Sequence, residues 1–347
     1  MKIQRNKVDH KNNSGSMEIV AEHQDDIYVL GMVISMGDMV TSSTTRKIQI
    51  DAKTQQRISL TLKIKIETVS VDLGSSTIYL KGKTVVMHEH VKLGSYHTID
   101  IVPGHAFELE KQEWPCQSIK LLKEATKPQP EMIFIIFYEK ECVVSVVSKA
   151  RVSILMKQEI KNKKFCNIIK TLEKHVSMID LFVVASAFEV RNEFYKAVSF
   201  AKELSKVLKS FCVVKVPAEC KGYSNLKVIN TILTNKELSK TFQGIQYVED
   251  LKQAENFFVA FAKGSELVCI GMEDIREAMD YGALERVVII DEKVKPNNIE
   301  ERIKAEMFCK ELGAINCKIS IIPAAHFCGE KLKEMGGVCA MLKFNYK

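Results

Sequence analysis

The chain has 347 residues, of which 46% are hydrophobic and 27% charged, and its formal net charge is +7. This length exceeds one typical domain and predicts two or three, while the hydrophobic content argues against a mainly disordered chain. The mild positive charge is compatible with a partner that carries phosphates, but composition by itself favours nucleic-acid binding only modestly.

The first third of the chain has the pattern of β-strands. Apolar and polar residues alternate from Ile58 to Glu67, and this period of two predicts a strand with one buried face and one polar, basic face. Further strands are predicted at Ser76–Leu80, His97–Val102 and Phe107–Lys111, with the turn Pro103-Gly104 between the last two. Short strands with tight turns and few helices are typical of a small β-barrel.

A polar segment from Lys123 to Pro130 is predicted to be a linker, and the pattern changes after it. Apolar runs such as Leu181–Ser186 and Phe211–Val216 indicate buried strands, and they alternate with segments of helical spacing. This alternation starts again near Lys240. We therefore predict three domains, a β-barrel followed by two α/β domains, at residues 1–126, 127–240 and 241–347.

Common catalytic motifs are absent from the sequence. It has no P-loop, no G-x-G-x-x-G after a strand and no G-x-S-x-G, and Gly336-Gly337 is followed by Val338 rather than glutamine. The adjacent carboxylates Asp25 and Asp26 could hold a divalent cation for phosphodiester cleavage, although such pairs are commoner in ordinary polar turns. His88 and His90 share a face of a strand-like stretch, but no third metal ligand is identifiable, which favours surface histidines.

Two groups of cations point to phosphate recognition. Thr41–Lys47 carries hydroxyls followed by two cations, which suits phosphate oxygens, with a solvated loop as the alternative. Eight cations and two acids lie between Lys149 and Lys174, so that this segment has a net charge of +6. Its centre, Lys157–Phe165, is expected to be a basic loop between a strand and a helix. Because cations are disfavoured at a helix N-terminus, a binding role is favoured over a solvated helix start.

The ten cysteines include no C-x-x-C pair, and most lie in apolar runs. Reduced, buried thiols in a cytosolic protein are therefore expected, and a zinc site is not. The polar start of the chain has no signal-peptide core, and the longest apolar run, near Met132–Tyr138, is far too short to span a membrane. We expect a soluble, cytoplasmic, monomeric protein.

Five segments resemble the Pelota family, paralogues of the class-1 translation release factors. The most distinctive is GSYHTIDIVPGHAFELEKQEW, which runs from Gly94 to Trp114. The others follow the family's order and lie at Asp26–Val40, Ser43–Ile48, Leu181–Tyr195 and His326–Phe344. The resemblance covers essentially the whole chain, and the loss of the proline that usually precedes Gly37-Asp38 marks a divergent member.

The resemblance implies an α+β and α/β multidomain fold, in which an Sm-like β-barrel precedes two α/β release-factor-like domains, and the central domain lacks the Gly-Gly-Gln of release factors. It implies a ribosome rescue factor that recognises stalled ribosomes with an empty A site and acts with an elongation-factor-like GTPase. An ABC-type ATPase then helps to split the subunits, in the service of no-go and non-stop mRNA decay. No cofactor is expected. The alternatives are a divalent-metal-dependent RNA endonuclease that uses Asp25 and Asp26, and a general RNA-binding or assembly protein.

The same resemblance assigns residue roles. The first-domain segment around Arg46 corresponds to a family loop expected near the decoding centre, and the family's Pro-Gly-Phe, a GTPase contact, is replaced by Ser186-Ala187-Phe188. The residues carried over are Thr45, Arg46, Lys47, Lys161, Lys163 and Lys164 for ribosome binding, and Ala187 and Phe188 for the GTPase contact. The segment Gly94–Trp114 is expected to complete the barrel without contacting RNA.

Overall fold

The computed structural model describes residues 1–9, 11–51, 54–87, 91–127, 131–160, 165–177, 179–296 and 299–346, and at residues 46–51, 54–57, 218, 221 and 299 it describes the backbone alone. The chain forms two compact units, Met1–Pro128 and Gln129–Lys347. None of the helices within the described ranges is both long and apolar enough to cross a membrane.

The first unit is built on a seven-stranded antiparallel sheet in the order β1-β2-β7-β3-β4-β5-β6. Its strands are β1 (Lys2–Asp9), β2 (Ser14–Val20), β3 (Met39–Asp51), β4 (Thr54–Asp72), β5 (Thr77–Thr84), β6 (Tyr96–Ile101) and β7 (Ala106–Lys111). Two helices, α1 (Gln24–Val33) and α2 (Cys116–Ala125), accompany the sheet. The prediction of a β-rich first domain is confirmed.

Helix α1 was not predicted from the sequence. The run from Ile27 to Val33 is apolar at nearly every position and is buried on most sides, so it lacks the one-sided periodicity that marks a surface helix. Its first turn is fixed by Asp26, whose Oδ2 accepts hydrogen bonds from the backbone nitrogens of Glu22 at 2.8 Å and His23 at 3.1 Å. These bonds hold the chain that enters the helix.

The core of the first unit follows from alternation along β4. Leu62, Ile64 and Ile66 are all buried, as the period of two in the sequence predicts. Trp114, the single tryptophan of the chain, is 1% exposed, and its Nε1 donates to the backbone oxygen of Gly15 at 2.9 Å. Burial of a large aromatic side chain contributes about 2–3 kcal/mol. The end of the Gly94–Trp114 segment therefore anchors the sheet.

Strands β3 and β4 extend past the rest of the sheet as a two-stranded ribbon. β3 pairs with β7 from Met39 to Ser42, and β4 pairs with β5 from Ile64 to Asp72. Beyond these ranges, residues 44–51 and 54–60 are paired with each other, and we call them the β3–β4 ribbon. The expectation of a loop at Arg46 and Lys47 was wrong, because the backbone hydrogen bonds of a long hairpin impose a strand on this polar sequence.

The second unit begins with a five-stranded sheet in the order β10-β9-β8-β11-β12. Its strands are β8 (Met132–Phe137), β9 (Glu141–Val147), β10 (Val152–Glu159), β11 (Leu181–Ser186) and β12 (Phe211–Lys215), and its helices are α3 (Cys166–Glu173), α4 (Val190–Ser199) and α5 (Asn225–Thr234). The three strands β8, β11 and β12 are parallel, so their carboxyl ends meet at one edge of the sheet.

A four-stranded sheet follows in the order β13-β16-β14-β15, in which β14 and β15 are parallel. Its strands are β13 (Val268–Ile270), β14 (Leu284–Ile290), β15 (Lys318–Ile322) and β16 (Val338–Leu342). Its helices are α6 (Gln246–Ala262), α7 (Met272–Asp280), α8 (Asp291–Val294), α9 (Ile299–Ala314) and α10 (Phe327–Glu334). The alternation of helices and strands that predicted two α/β parts is confirmed.

The two sheets of the second unit share one buried core, to which residues of α5, α6 and α10 contribute. At this joint Nε2 of the buried His326 lies 3.1 Å from the backbone oxygen of Ser148. Near it, Sγ of Cys328 donates to Oδ1 of Asn230 at 3.1 Å. The boundary near residue 240 stays a prediction, since the parts on either side of it pack together.

The buried ion pair between Lys111 and Asp38 offers a test of this fold. Both side chains are almost fully buried, so Lys111→Met leaves a carboxylate without its main counter-charge and should lower the free energy of unfolding by about 3 kcal/mol. The matched control is Lys63→Met, which removes the half-exposed pair with Glu110 and should cost under about 1 kcal/mol.

Urea unfolding followed by tryptophan fluorescence measures this difference, because Trp114 reports on the first unit alone. Equal stability losses for the two variants would contradict a stabilising role for the buried pair.

Candidate functional site

The register of the β3–β4 ribbon places two cations directly opposite each other. Lys47 faces Arg57, and on the same face Thr45 is opposite Ser59 and Gln49 is opposite Gln55. This face of the ribbon is therefore polar throughout. Like charges at directly opposed strand positions are destabilising, so a register that pairs Lys47 with Arg57 is typical of a surface that binds an anion.

The residues predicted for ribosome binding in the first unit divide between the two faces of the ribbon. Thr45, which is exposed, shares a face with Lys47, whereas Arg46 lies opposite Ile58 on the other face. Arg57 was missed by the sequence interpretation. The signal that could have found it is the hairpin register, since antiparallel pairing places Arg57 across from Lys47.

Two histidines engage the hydroxyls at the base of the ribbon. The Oγ atoms of Ser42 and Ser43 lie 3.1 Å and 3.0 Å from Nε2 of His105. In the same way, Oγ1 of Thr44 lies 3.0 Å from Nε2 of His97. These hydroxyls fix the start of the ribbon. Ser42, Ser43 and Thr44 are therefore occupied in structural contacts, and of the segment Thr41–Lys47 only Thr45 and the cations after it stay candidates for phosphate binding.

The second predicted basic segment joins β10 to α3. Lys161, Lys163 and Lys164 lie outside the described residues, so their arrangement stays a prediction. The flanking cations Lys157 and Lys170 are exposed. A strand and a helix flank the segment as predicted, but β10 continues to Glu159, so the first three residues of the predicted loop Lys157–Phe165 belong to the strand.

The segment Ser186-Ala187-Phe188 lies at the carboxyl end of β11 and is held by a network of hydrogen bonds. The hydroxyl of Ser186 donates to the backbone oxygen of Phe137 at 2.9 Å and accepts from the backbone nitrogen of Phe188 at 3.0 Å. Nη1 of Arg191 donates to the backbone oxygen of Phe188 at 2.6 Å. We call residues 186–191 the Phe188 loop. Its Ala187 and Phe188 are half-buried, so both present part of their surface to solvent.

A small pocket adjoins the Phe188 loop at the edge where β8, β11 and β12 end. Its walls include Phe137, Tyr138, Val216 and Cys220 beside Phe188. Burial raises the pKa of Tyr138 to about 12 and also raises the pKa of the Cys220 thiol. Both groups are therefore protonated at neutral pH, and the pocket is suited to contact by an apolar side chain rather than to nucleophilic chemistry.

The carboxylates proposed for metal-dependent cleavage lie at the start of α1. Asp26 is 5% exposed, and its Oδ2 is 2.8 Å from the amino nitrogen of Met1, in addition to the backbone nitrogens that it accepts from. Its carboxylate therefore has a structural role. In the part of the chain that the structure describes, no group of three or more His, Cys, Asp or Glu side chains could hold a metal ion. His88 and His90 lie outside the described residues.

The cysteines are all free thiols, and Cys142, Cys220, Cys269, Cys328 and Cys339 are buried. The expectation of buried thiols holds for these five, whereas Cys116 and Cys166 are exposed. Burial raises the pKa of Cys328 to about 12, which keeps this thiol protonated at the joint of the two sheets.

We expect the hydrogen bonds of Ser186 to restrain the backbone of the Phe188 loop. Ser186→Ala removes the acceptor for the Phe188 amide at a buried position, at a cost of about 1–3 kcal/mol, and should speed amide hydrogen exchange across residues 186–191 by about tenfold or more. Ser199→Ala is the control, since the hydroxyl of Ser199 bonds the backbone oxygen of Lys196 at an exposed site. Unchanged exchange in Ser186→Ala, measured by mass spectrometry, would show that the hydroxyl does not restrain the loop.

Comparisons with known proteins cover nearly the full chain. The model of the Pelota N-terminal domain matches residues 1–126, and the model of eRF1 domain 3 matches residues 247–346. A protein pelota homolog of Pyrococcus horikoshii is 26% identical in an alignment that covers 98% of this chain and 99% of the relative.

Solved structures show the same fold. The Pelota protein of Thermoplasma acidophilum has a TM-score of 0.74 at 17% identity, over 99% of this chain and 100% of that chain. Dom34 of S. cerevisiae, described as a translation termination-like factor involved in RNA quality control pathways and interacting with Hbs1, has a TM-score of 0.55 at 18% identity, over 99% of this chain and 98% of that chain. The domain models at residues 1–126 and 247–346, together with relatives that align over nearly the whole chain, show that the chain belongs to the Pelota family.

Proposed function

We propose that this protein is a ribosome rescue factor that acts by binding. It recognises stalled ribosomes with an empty A site and, with a translational GTPase, promotes subunit dissociation and the decay of the stalled mRNA by the no-go and non-stop routes. The observation that carries the proposal is the ribbon face on which Lys47 and Arg57 stand directly opposite each other. The similarity of this chain to Dom34, which is described as a translation termination-like factor involved in RNA quality control pathways, supports a ribosomal RNA partner.

Electrostatics explain why the ribbon suits RNA. Cations at paired strand positions disfavour each other, and a phosphate that contacts both replaces one repulsion by two attractions. Each phosphate contact also releases condensed counterions, which makes binding sensitive to salt. Thr45 adds a hydroxyl on the same face, and Lys161, Lys163 and Lys164 supply a second set of phosphate contacts from the middle of the chain.

The Phe188 loop provides the contact for the GTPase. Its backbone is held by Ser186 and Arg191, so little conformational freedom is lost when Ala187 and Phe188 dock against a partner. The S. cerevisiae relative interacts with Hbs1, and we assign the corresponding partner here to the elongation-factor-like GTPases. An ABC-type ATPase completes subunit splitting. The protein acts as a cytoplasmic monomer and requires no cofactor.

The proposal is tested by co-sedimentation with ribosomes stalled on truncated mRNA. Lys47→Ala and Arg57→Ala should each weaken binding by about tenfold, since a hydrogen bond to a charged group contributes about 1.5–3 kcal/mol. Each should also lower the slope of log affinity against log salt by about 1. The control is Arg5→Ala, an exposed arginine of β1 that is paired with Glu18 at 3.5 Å, which should bind as the unmodified chain does.

Absence of ribosome binding by the unmodified chain would overturn the proposal. The same incubations also test the nuclease alternative. If the mRNA is cleaved in the presence of Mg²⁺ and Asp25→Asn abolishes that cleavage, the protein does not act by binding alone. Asp25 is the better choice for this test, since Asp26 holds the start of α1.

Truncation of the aromatic ring in the Phe188 loop tests the GTPase contact. Phe188→Ala should weaken capture of the GTPase by about 2 kcal/mol, or roughly 30-fold, because a central aromatic anchor commonly costs that much when it is removed. The control is Phe200→Ala, which removes a ring that is 90% exposed at the end of α4. Isothermal titration with the GTPase bound to a non-hydrolysable GTP analogue measures both, and equal affinities for the two variants would remove Phe188 from the contact.

A further inference from the structure

An exposed aromatic ring lies among lysines on the outer face of the first-unit sheet. Tyr96, the first residue of β6, is 55% exposed. The Nζ atoms of Lys81 and Lys83 lie 5.6 Å and 5.1 Å from the centre of its ring. Contacts of this kind hold the ring in place by cation–π attraction, and more than half of its surface stays open to a ligand.

The strand register explains how these groups come together. Lys83 of β5 is opposite Tyr96 of β6 on one side and opposite Lys65 of β4 on the other. Glu67 of β4 pairs with Lys83, with 3.1 Å between Oε1 and Nζ. We call Lys65, Glu67, Lys81, Lys83 and Tyr96 the Tyr96 patch.

The reverse side of these strands is part of the core, which makes the patch a rigid surface. Ile64 and Ile66 of β4, Leu80 of β5 and Ile99 of β6 are each at most 1% exposed. Side chains alternate between the faces of a strand, so the buried residues fix the outward position of their neighbours. A ligand therefore meets a preformed platform rather than a mobile loop.

The charges of the patch favour an anionic partner. It carries three lysines and one glutamate, a net charge of +2, and Lys65 stands directly opposite Lys83. The hydrogen bond from Lys83 holds the pKa of Glu67 below its usual range, although desolvation opposes it, so this carboxylate stays ionised and offsets part of the repulsion. The remaining excess of positive charge is available to phosphates.

We propose that the Tyr96 patch binds single-stranded RNA, with a base stacked on the Tyr96 ring and the flanking phosphates held by Lys65, Lys81 and Lys83. An exposed ring beside cations matches a nucleotide, which joins a flat base to a negative charge, better than it matches an acidic peptide, which offers no flat group for the ring. Stacking of one base on an aromatic side chain contributes about 1–3 kcal/mol. The inference rests on the proposed function for its ribosomal setting, and it adds an RNA contact separate from Lys47 and Arg57. It departs from the sequence-based expectation that the segment Gly94–Trp114 does not contact RNA, because Tyr96 lies in that segment.

The proposal is tested with the full-length chain and a fluorescein-labelled oligouridine of about 12 nucleotides, a length in the range of single-strand sites. Tyr96→Ala should weaken binding by about tenfold, as the loss of one stacking contact implies, whereas Tyr96→Phe keeps the ring and should bind within a factor of about two. Lys83→Ala should lower the salt slope by about 1. The control is Tyr281→Ala, which removes a tyrosine of comparable exposure, 63%, from the second unit.

A fluorescence signal reports stacking directly. Because Trp114 is the single tryptophan, Trp114→Phe combined with Tyr96→Trp makes residue 96 the sole indole, and oligouridine should quench its emission. If this double variant fails to fold, the affinities of Tyr96→Ala and Tyr96→Phe for the fluorescein-labelled oligouridine, measured by fluorescence anisotropy, decide the question without it.

Equal affinities for Tyr96→Ala and the unmodified chain would overturn the inference, and so would poly-glutamate that competes as well as the oligonucleotide. Ribosome pelleting separates this inference from the proposed function. If the protein pellets with ribosomes and Tyr96→Ala binds oligouridine as the unmodified chain does, the Tyr96 patch is ruled out and the rescue function is not. If oligouridine binding depends on Tyr96 but the protein does not pellet with ribosomes, the rescue function is ruled out and the Tyr96 patch is not.

Discussion

The first unit depends on the register of a single strand, β4. This strand is 19 residues long, and it pairs with β3 and then also with β5. Because side chains alternate between faces, a slip by one residue would turn its lysines into the core and its leucines and isoleucines into water. The apolar face therefore fixes the polar one. Both proposed RNA contacts lie on that polar face, Lys47 against Arg57 near one end and Lys65 against Lys83 farther along.

The second unit places an aromatic residue, Phe188, just beyond the end of a buried strand. Strand β11 lies between the parallel strands β8 and β12, so its carboxyl end opens at an edge of the sheet where a loop can reach solvent. A proline restricts a loop through its ring. Ser186 restricts this one through two hydrogen bonds, and Arg191 adds a third at the backbone oxygen of Phe188. A loop without the family's Pro-Gly pair can thus keep its phenylalanine in a fixed position.

Those features of the fold that local periodicity determines could be predicted from the sequence. The alternation in β4 gave its basic face, and apolar runs located β11 and β12. Helix α1 was missed because its residues are apolar on nearly every side. Arg57 and Tyr96 were missed for another reason, which is that their significance depends on the residue across from them. The identity of the opposite residue is set by pairing between segments distant along the chain, so the local sequence around Arg57 or Tyr96 does not reveal it.

Opposed cations connect the stability of the free protein to its binding. Like charges at directly opposed positions of two strands destabilise the pairing, so folding alone does not account for a register that pairs Lys47 with Arg57 and Lys65 with Lys83. Glu67 offsets the second repulsion by its ion pair with Lys83. A polyanion removes both repulsions and releases its own counterions. In the proposed complex with RNA, the charges that weaken the free sheet therefore contribute to binding, and the buried face of β4 supplies the stability that allows the sheet to carry them.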